Sequence, residues 1–380
     1  MRDGATENEL LESADVQSDA VPTSEGPTLS ILVPIYNVGR YLRECLDSLE
    51  RQGYTDYEAI LLNDGSTDDS GAIAHEYADR DPRFKVVDKP NSGYGATLNV
   101  GLEQASGTYV GFLESDDVMY DGALERLVTA IEAYDADLVR GTFSLYWSVT
   151  GRDEQVHPYG DDLLNREIDP RDELRVYLFK SAIWSGVYRK SLLDDNAIRF
   201  LETPGASYQD TSFAFKTYAA ASCAVFLDDP IIHYRQDNEG SSVHSRGKVY
   251  AVGKEFDEID RWLSRRGDSD HEKLLRRASV VARSNAFLWN VDRIAPEFRP
   301  EFIHYMSLEF SKMDDAGRID WEDLDAWRAL NIRKIIEDPD HYLRLRENFH
   351  GESALSKAAF SLELGGPQAL INAVRERRSR

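Results

Sequence analysis

Between residues 29 and 140, short apolar runs alternate with stretches of helical period. The runs 29–33, 57–62, 84–87, 109–113 and 137–140 have strand length and are rich in Val, Ile, Leu and aromatics. The stretches 40–49, 70–80, 96–104 and 121–134 place apolar residues three and four apart, which predicts helices. Such alternation predicts an α/β domain on a mostly parallel sheet, whose ligands bind beyond the carboxyl ends of the strands. Polar clusters stand at three of those ends: Pro34-Ile35-Tyr36-Asn37, Asn63-Asp64-Gly65-Ser66-Thr67-Asp68-Asp69 and Glu114-Ser115-Asp116-Asp117. Three strand exits are thus expected to converge on one cleft.

Beyond residue 140 the pattern loosens. Residues 144–170 read as irregular surface loops and 171–179 as helical. Residues 184–188 read as a strand, 210–221 as a helix, and 225–227 and 231–234 as short strands about the turn Asp228-Asp229-Pro230. From residue 248 helical periods dominate, at 249–265, 271–289, 300–313 and 321–336. The reading divides the chain into an acidic disordered tail (1–27), an α/β domain (28–247) and a C-terminal helical region (248–380). The tail carries seven acids against one base, Arg2, with few apolar residues to form a core.

Composition narrows the function. A formal charge of −24 over 380 residues argues against nonspecific nucleic-acid binding, because the phosphates would be repelled. The two cysteines, Cys45 and Cys223, lie in no metal or redox spacing; Cys45 sits with Leu42, Leu46 and Leu49 on one helical face as a core thiol. No disulfide framework is implied, no apolar run approaches the ~18–20 residues of a membrane span, and no secretion signal is read at the start. A cytoplasmic setting is the expectation.

The chemistry gathers at the strand ends. Glu114, Asp116 and Asp117 place three carboxylates within four residues where a buried strand stops. Like charges that close call for water, hydrogen bonds or a hard divalent cation with oxygen ligands. The plain alternative is an acidic turn, with Asp117 capping the next helix. Asp64 follows a strand and precedes Gly65, which permits a tight turn and leaves the carboxylate facing the cleft, where it can accept from a base N–H or a ribose hydroxyl. The plain alternative there is an ordinary Asp-Gly turn.

Taken together, Pro34-Ile35-Tyr36-Asn37, Asn63-Asp64-Gly65-Ser66-Thr67-Asp68, Asn91-Ser92-Gly93-Tyr94-Gly95-Ala96-Thr97-Leu98-Asn99-Val100-Gly101 and Glu114-Ser115-Asp116-Asp117 resemble, in order and spacing, the family 2 glycosyltransferases. The resemblance spans about residues 29–242 and implies a GT-A fold, a nucleotide-sugar-binding α/β domain with a mostly parallel sheet flanked by helices. It implies nucleotide-sugar contacts from Pro34, Tyr36, Asn37, Asp64, Gly93, Asn99, Glu114, Ser115 and Asp116, with the 93–99 segment closing over the nucleotide. It also implies Mn²⁺ or Mg²⁺ held by Asp116 and Asp117. Glu114 stands where the family has Asp, which keeps the charge and adds a methylene. In Ser207-Tyr208-Gln209-Asp210, Asp210 matches the family's catalytic base, and Gln209 replaces a neighbouring Glu.

The implied activity is metal-dependent, inverting transfer of a sugar from a nucleoside diphosphate, UDP favoured, to a hydroxyl of a glycan or lipid-linked acceptor in bacterial surface polysaccharide or glycoconjugate assembly. The alternative is a nucleotide-sugar-binding protein that has lost catalysis. A dinucleotide oxidoreductase is disfavoured, since the first strand exits without Gly-x-Gly-x-x-Gly.

Several side chains carry two readings. Arg235 is expected either on the diphosphate or in a salt bridge, and Ser241 and Ser242 on the diphosphate. His233 is read as structural before it is read as a diphosphate contact, and His244 is the weaker candidate of the two. Trp184 is either an acceptor-stacking wall or core. Residues 366–380 read as a capped amphipathic helix with a basic end, either a solvated terminus or a peripheral membrane contact at the inner face of the plasma membrane.

Overall fold

The computed structural model describes residues 26–238, 249–322, 324–349 and 353–378. Most of the expected acidic tail (1–25), together with Ser241, Ser242 and His244, lies outside the described residues.

The N-terminal half is built as its pattern demands. Leu29–Ile35 (β1), Gly39–Glu50 (α1), Tyr57–Asn63 (β2), Ser70–Arg80 (α2), Phe84–Asp88 (β3), Tyr94–Gln104 (α3) and Tyr109–Phe112 (β4) alternate without interruption. Val118–Met119 (β5), Ala123–Ala133 (α4), Leu138–Trp147 (β6), Arg152–Val156 (β7), Glu167–Ile168 (β8), Gly186–Arg189 (β9), Lys190–Asp195 (α5), Gln209–Ala220 (α6) and Ala224–Arg235 (β10) complete the domain. The ten strands form one sheet in the order β3-β2-β1-β4-β9-β6-β10-β5, with β7 added beside β6 and β8 beside β10. Strands β3, β2, β1 and β4 run parallel, and β9 enters antiparallel between β4 and β6. Every residue of β1 and β2 is buried, as expected of parallel strands covered on both faces. Helix α1 covers one face with Leu42, Cys45, Leu46 and Leu49, so Cys45 is the core thiol expected of it.

Three stretches differ from the expectation. Residues 144–170 are not mainly loop: β6 runs on to Trp147 and pairs with β7, and β8 pairs with β10. Strand β7 is an edge strand of mostly exposed polar residues, so it carries no apolar alternation to read. Residues 171–179 form only a 3-10 turn, Leu174–Leu178. Residues 225–234 lie in one strand, β10, whose register against β6 breaks between Phe226 and Ile232, around a proline that has no N–H to give.

The helical region follows as Ala251–Ser264 (α7), Asp270–Arg293 (α8), Arg299–Asp315 (α9), Ala326–Glu337 (α10), Pro339–Asn348 (α11) and Ala354–Arg378 (α12). The expected 321–336 helix begins only at Ala326, because the Asp325 carboxylate caps it by accepting from the Arg328 amide at 2.8 Å. Helix α12 kinks at Gly365 and Gly366, and Pro367 opens its second half, where the final helix was expected to start. Helix α7 packs on α6 and α8 on the 174–178 turn, so the helical region borders the α/β domain beside Asp210.

Candidate active site

Strand β1 leaves its carboxyl end with Pro34 buried and Tyr36 half exposed. Asn37 then takes φ 52°; its amide donates to Ser66 Oγ at 3.2 Å, and its side-chain oxygen accepts from the Thr67 amide at 2.8 Å. The β1 and β2 exits are therefore tied directly together.

Asp64, 4% exposed, follows β2. Its carboxylate accepts from the Ser92 and Gly93 amides at 2.9 and 3.0 Å and from the Lys89 ammonium. Burial by itself would raise this group, but Lys89 and the amides outweigh it and hold Asp64 below its ordinary value. Gly93, at φ 91°, could not carry a side chain, since a Cβ would meet the Thr203 carbonyl at 2.9 Å. Helix α3 is thereby pressed against residues 200–205, and a Cβ on Gly95 would lie 2.3 Å from the Leu201 carbonyl oxygen.

Asn99, expected on the nucleotide, engages residues 200–202 in this structure. It is buried and clasps the backbone of Phe200, accepting from its N–H at 2.9 Å and donating to its carbonyl at 3.0 Å, with a further bond to Glu202 at 3.0 Å.

The β4 exit holds the carboxylates in unlike surroundings. Glu114 is half-buried and accepts from the Tyr94 hydroxyl. Burial pushes it up to about 8; the Tyr94 bond opposes that rise, while the charges of Asp116 and Asp210 add to it. Ser115 is buried. Asp116 is half-buried and accepts from the Asn238 side chain at 2.7 Å. Asp117 is fully buried: one oxygen accepts from the Arg235 amide at 2.8 Å, and the other has no partner. Burial first, then the neighbouring Asp116, raises Asp117 well above the carboxylate range. It caps no helix, since α4 begins at Ala123 behind Gly122.

Arg235 makes the salt bridge that was one of its two readings. Its side chain is 1% exposed, donating to the Asp116 carbonyl at 2.6 Å and to Glu44 at 2.6 Å, between the rings of Tyr41 and Tyr146. His233 stacks on Tyr120 at 3.6 Å and pairs with Asp153 at 2.8 Å, a structural setting. Trp184 is core, stacked on Tyr234 at 4.9 Å.

Asp210 lies in the first turn of α6. Burial raises it to about 6, against the opposing pull of the Lys180 ammonium. Lys180 itself sits 4.1 Å over the Tyr234 ring. Gln209, 1% exposed, donates to Thr203 Oγ1 at 2.9 Å and to the Gly205 carbonyl at 3.1 Å, and accepts from the Ser207 amide. Asp210 opens on a cavity of about 520 Å³ between the 176–181 segment, α6, α7 and α8, where Tyr208, Phe256, Asn285 and Trp289 also line the wall. Sequence reasoning did not single out Lys89, Tyr94, Lys180 or Tyr208. Lys89 and Tyr94 stand within the Gly93 segment or just before it, where a cation and a hydroxyl near two acidic exits were the available signal.

Among the described residues, no three His, Cys, Asp or Glu side chains are arranged to hold a metal ion. A cation bound through one or two carboxylates plus substrate phosphates needs no such cage. The half-buried Asp116 and the orphaned oxygen of Asp117 are donors of the right chemistry for a hard cation.

Parallel β3-β2-β1-β4, the inserted antiparallel β9 and an acidic β4 exit define a GT-A domain with a helical region attached. The Glycosyl transferase family 2 model matches residues 30–194. The glycosyltransferase YibD of Escherichia coli is 30% identical over 253 residues, covering 65% of this chain and 73% of its own length. EpsJ of Bacillus subtilis, also called a glycosyltransferase, is 34% identical over 224 residues, 56% of this chain. The chain belongs to glycosyltransferase family 2. It spans about three fifths of the length of the first Bacillus relatives it matches. Among solved structures, Staphylococcus aureus TarS 1-349 in complex with UDP-GlcNAc superposes with a TM-score of 0.67 at 21% identity, covering 85% of this chain and 91% of that one. That likeness concerns the fold, and it extends over more residues than the α/β domain alone contains.

Proposed function

We propose that this chain transfers a sugar from a nucleoside-diphosphate sugar, UDP favoured, to an acceptor hydroxyl with inversion, and that Asp210 is the base. The observation that carries the reading is Asp210 itself: a carboxyl held near 6 at a helix start, opening on a cavity large enough for part of an acceptor. At neutral pH it is ionised and accepts the proton as the acceptor oxygen attacks the anomeric carbon and the bond to the diphosphate breaks. Asp64 and the 89–93 loop face the nucleotide, with Pro34 and Tyr36 at its edge. Asp116, with Asp117 behind it, would hold Mn²⁺ or Mg²⁺. That cation, when bound, offsets the charge growing on the leaving group.

The acceptor is a glycan or a lipid-linked glycan, entering between α6 and α8, where Trp289, 48% exposed, offers a ring for a sugar face. Bacterial surface polysaccharide or glycoconjugate assembly suits the relatives, one of which is called a poly(ribitol-phosphate) beta-N-acetylglucosaminyltransferase. No helix among the described residues is long and apolar enough to cross a membrane. Cytoplasmic placement, with peripheral contact at the inner face of the plasma membrane through 366–380, completes the proposal.

The test is thermal stability against UDP, GDP and CDP with and without Mn²⁺, followed by donor turnover in wild type and Asp210→Asn. A metal-dependent shift with UDP, lost in Asp116→Ala, together with turnover abolished in Asp210→Asn, supports the reading. Binding without any turnover would make the chain a nucleotide-sugar-binding protein; no binding to a folded sample would overturn the donor site.

A further inference from the structure

Helix α6 carries Asp210 in its first turn, yet Tyr208 at its cap position, in a left-handed conformation at φ 62°, offers no side-chain bond to the helix. The bond comes from the helical region. Glu255 of α7, 1% exposed, accepts from the Ser212 amide of α6 at 3.4 Å. One turn further on, the equally buried Lys216 donates to the Arg199 carbonyl at 2.7 Å and to Glu258 of α7 at 3.3 Å. Residues 255 and 258 of one helix thus face 212 and 216 of the other, a polar seam between two packed helices.

Burying a carboxyl there costs more than burying an apolar residue of the same volume, so its presence calls for a reason other than adhesion. The other Glu255 oxygen and the Ser212 hydroxyl are also buried, and the hydroxyl lies close enough to the carboxyl to act on it. The charged groups that act on Glu255 are Asp210 and Lys216, both on α6. Burial pushes Glu255 up to about 8; Ser212 and Lys216 oppose the rise and the Asp210 charge adds to it. A carboxyl neutral at pH 7 can accept the Ser212 amide without setting a second full charge beside the base.

We propose that Glu255 is a positioning residue: through it the helical region fixes the first turn of α6, and with that turn the direction of the Asp210 carboxylate. The proposal rests on Asp210 being the base. It gives the C-terminal helices a part in the reaction beyond walling the cavity.

The experiment compares Glu255→Met, which keeps the volume and removes the acceptor, with Glu255→Gln, which keeps both, in the full-length chain. Two readouts are taken: hydrogen exchange at the 211–213 amides, and hydrolysis of UDP-N-acetylglucosamine beside UDP binding. In Glu255→Met we expect faster exchange at those amides and turnover lower by about tenfold to a hundredfold, as for a base displaced by less than an ångström or so, with UDP affinity unchanged. Glu255→Gln recovers both. Unchanged exchange in Glu255→Met overturns the capping contact, and loosened amides with undiminished turnover overturn the positioning role. Full turnover in Asp210→Asn would instead refute the base assignment, while the exchange measurement still decides whether Glu255 holds the turn. A Glu255→Met sample that does not fold, beside a folded Glu255→Gln whose turnover falls as far as Asp210→Asn, would also overturn the proposal, since the amide preserves the bond.

Discussion

Removing the Asn99 side chain separates a scaffold role from a nucleotide contact. In Asn99→Ala the Phe200 N–H and carbonyl lose partners at 2.9 and 3.0 Å, and Glu202 loses one at 3.0 Å. Each buried backbone group left unsatisfied costs about 1–3 kcal/mol, and water entering the vacated space returns part of that, which leaves a loss of about 2–4 kcal/mol. Phe200 is no bystander: it stacks on Phe213 of α6 at 4.2 Å and meets Phe112 of β4 and Tyr94 of α3 edge-on at 5.5 and 6.2 Å. Loosening it disturbs the contact between the β4 exit and the helix that bears Asp210. At roughly 2–4 °C per kcal/mol for a domain of this size, melting falls by about 5–15 °C. Thermal unfolding, with UDP titration of the folded protein, is the assay. UDP affinity at a temperature where the variant is folded should change less than threefold. A melting temperature equal to wild type, with UDP affinity down tenfold or more, would refute the reasoning and return Asn99 to the nucleotide.

Donor turnover should fall as pH drops through about 6, where Asp210 takes up its proton, and approach a tenfold loss per further unit; a rate flat down to pH 4.5 would remove Asp210 as base. Asp64→Asn strands the Lys89 ammonium beside a neutral amide, and we expect a loss of about 2 kcal/mol in denaturant unfolding together with weaker UDP binding. Because the folded value of Asp64 is depressed, its contribution to stability is present above its unfolded pKa of about 3.9 and is lost as pH falls through the lower folded value. The wild-type minus Asp64→Asn stability difference should therefore shrink on acidification, and a difference that grows would contradict the assignment. Gly95→Ala places a methyl 2.3 Å from the Leu201 carbonyl oxygen, so backbone must move, at about 2–3 kcal/mol in the same unfolding assay.

What could be read from the sequence was set by where polar residues interrupt apolar runs. The exits near Pro34, Asp64 and Glu114 stood out because polar residues end the apolar runs there; β1 itself carries Pro34 as a buried member of its ladder, and the parallel strands bring all three exits to one end of the sheet. What could not be read was the partner of each polar side chain. Asn99 and Arg235 carry the right chemistry for a nucleotide sugar, and only the tertiary fold shows that one clasps Phe200 and the other lies between Glu44, Tyr41 and Tyr146. Strand β7 was missed because an edge strand needs no apolar face, and the part played by α7 because an amphipathic helix does not announce which element it will cover.

The two departures from the family pattern become intelligible on the same terms. Gln209 donates to Thr203 and Gly205 while accepting from Ser207, three bonds holding the loop before α6. An ionised Glu accepts only, so it could not make the two donated bonds. Glu114 reaches the Tyr94 hydroxyl at the start of α3, a partner that a side chain one methylene shorter would meet only if the backbone moved. Each substitution is matched by groups that this chain supplies, and neither removes the carboxylate at Asp210.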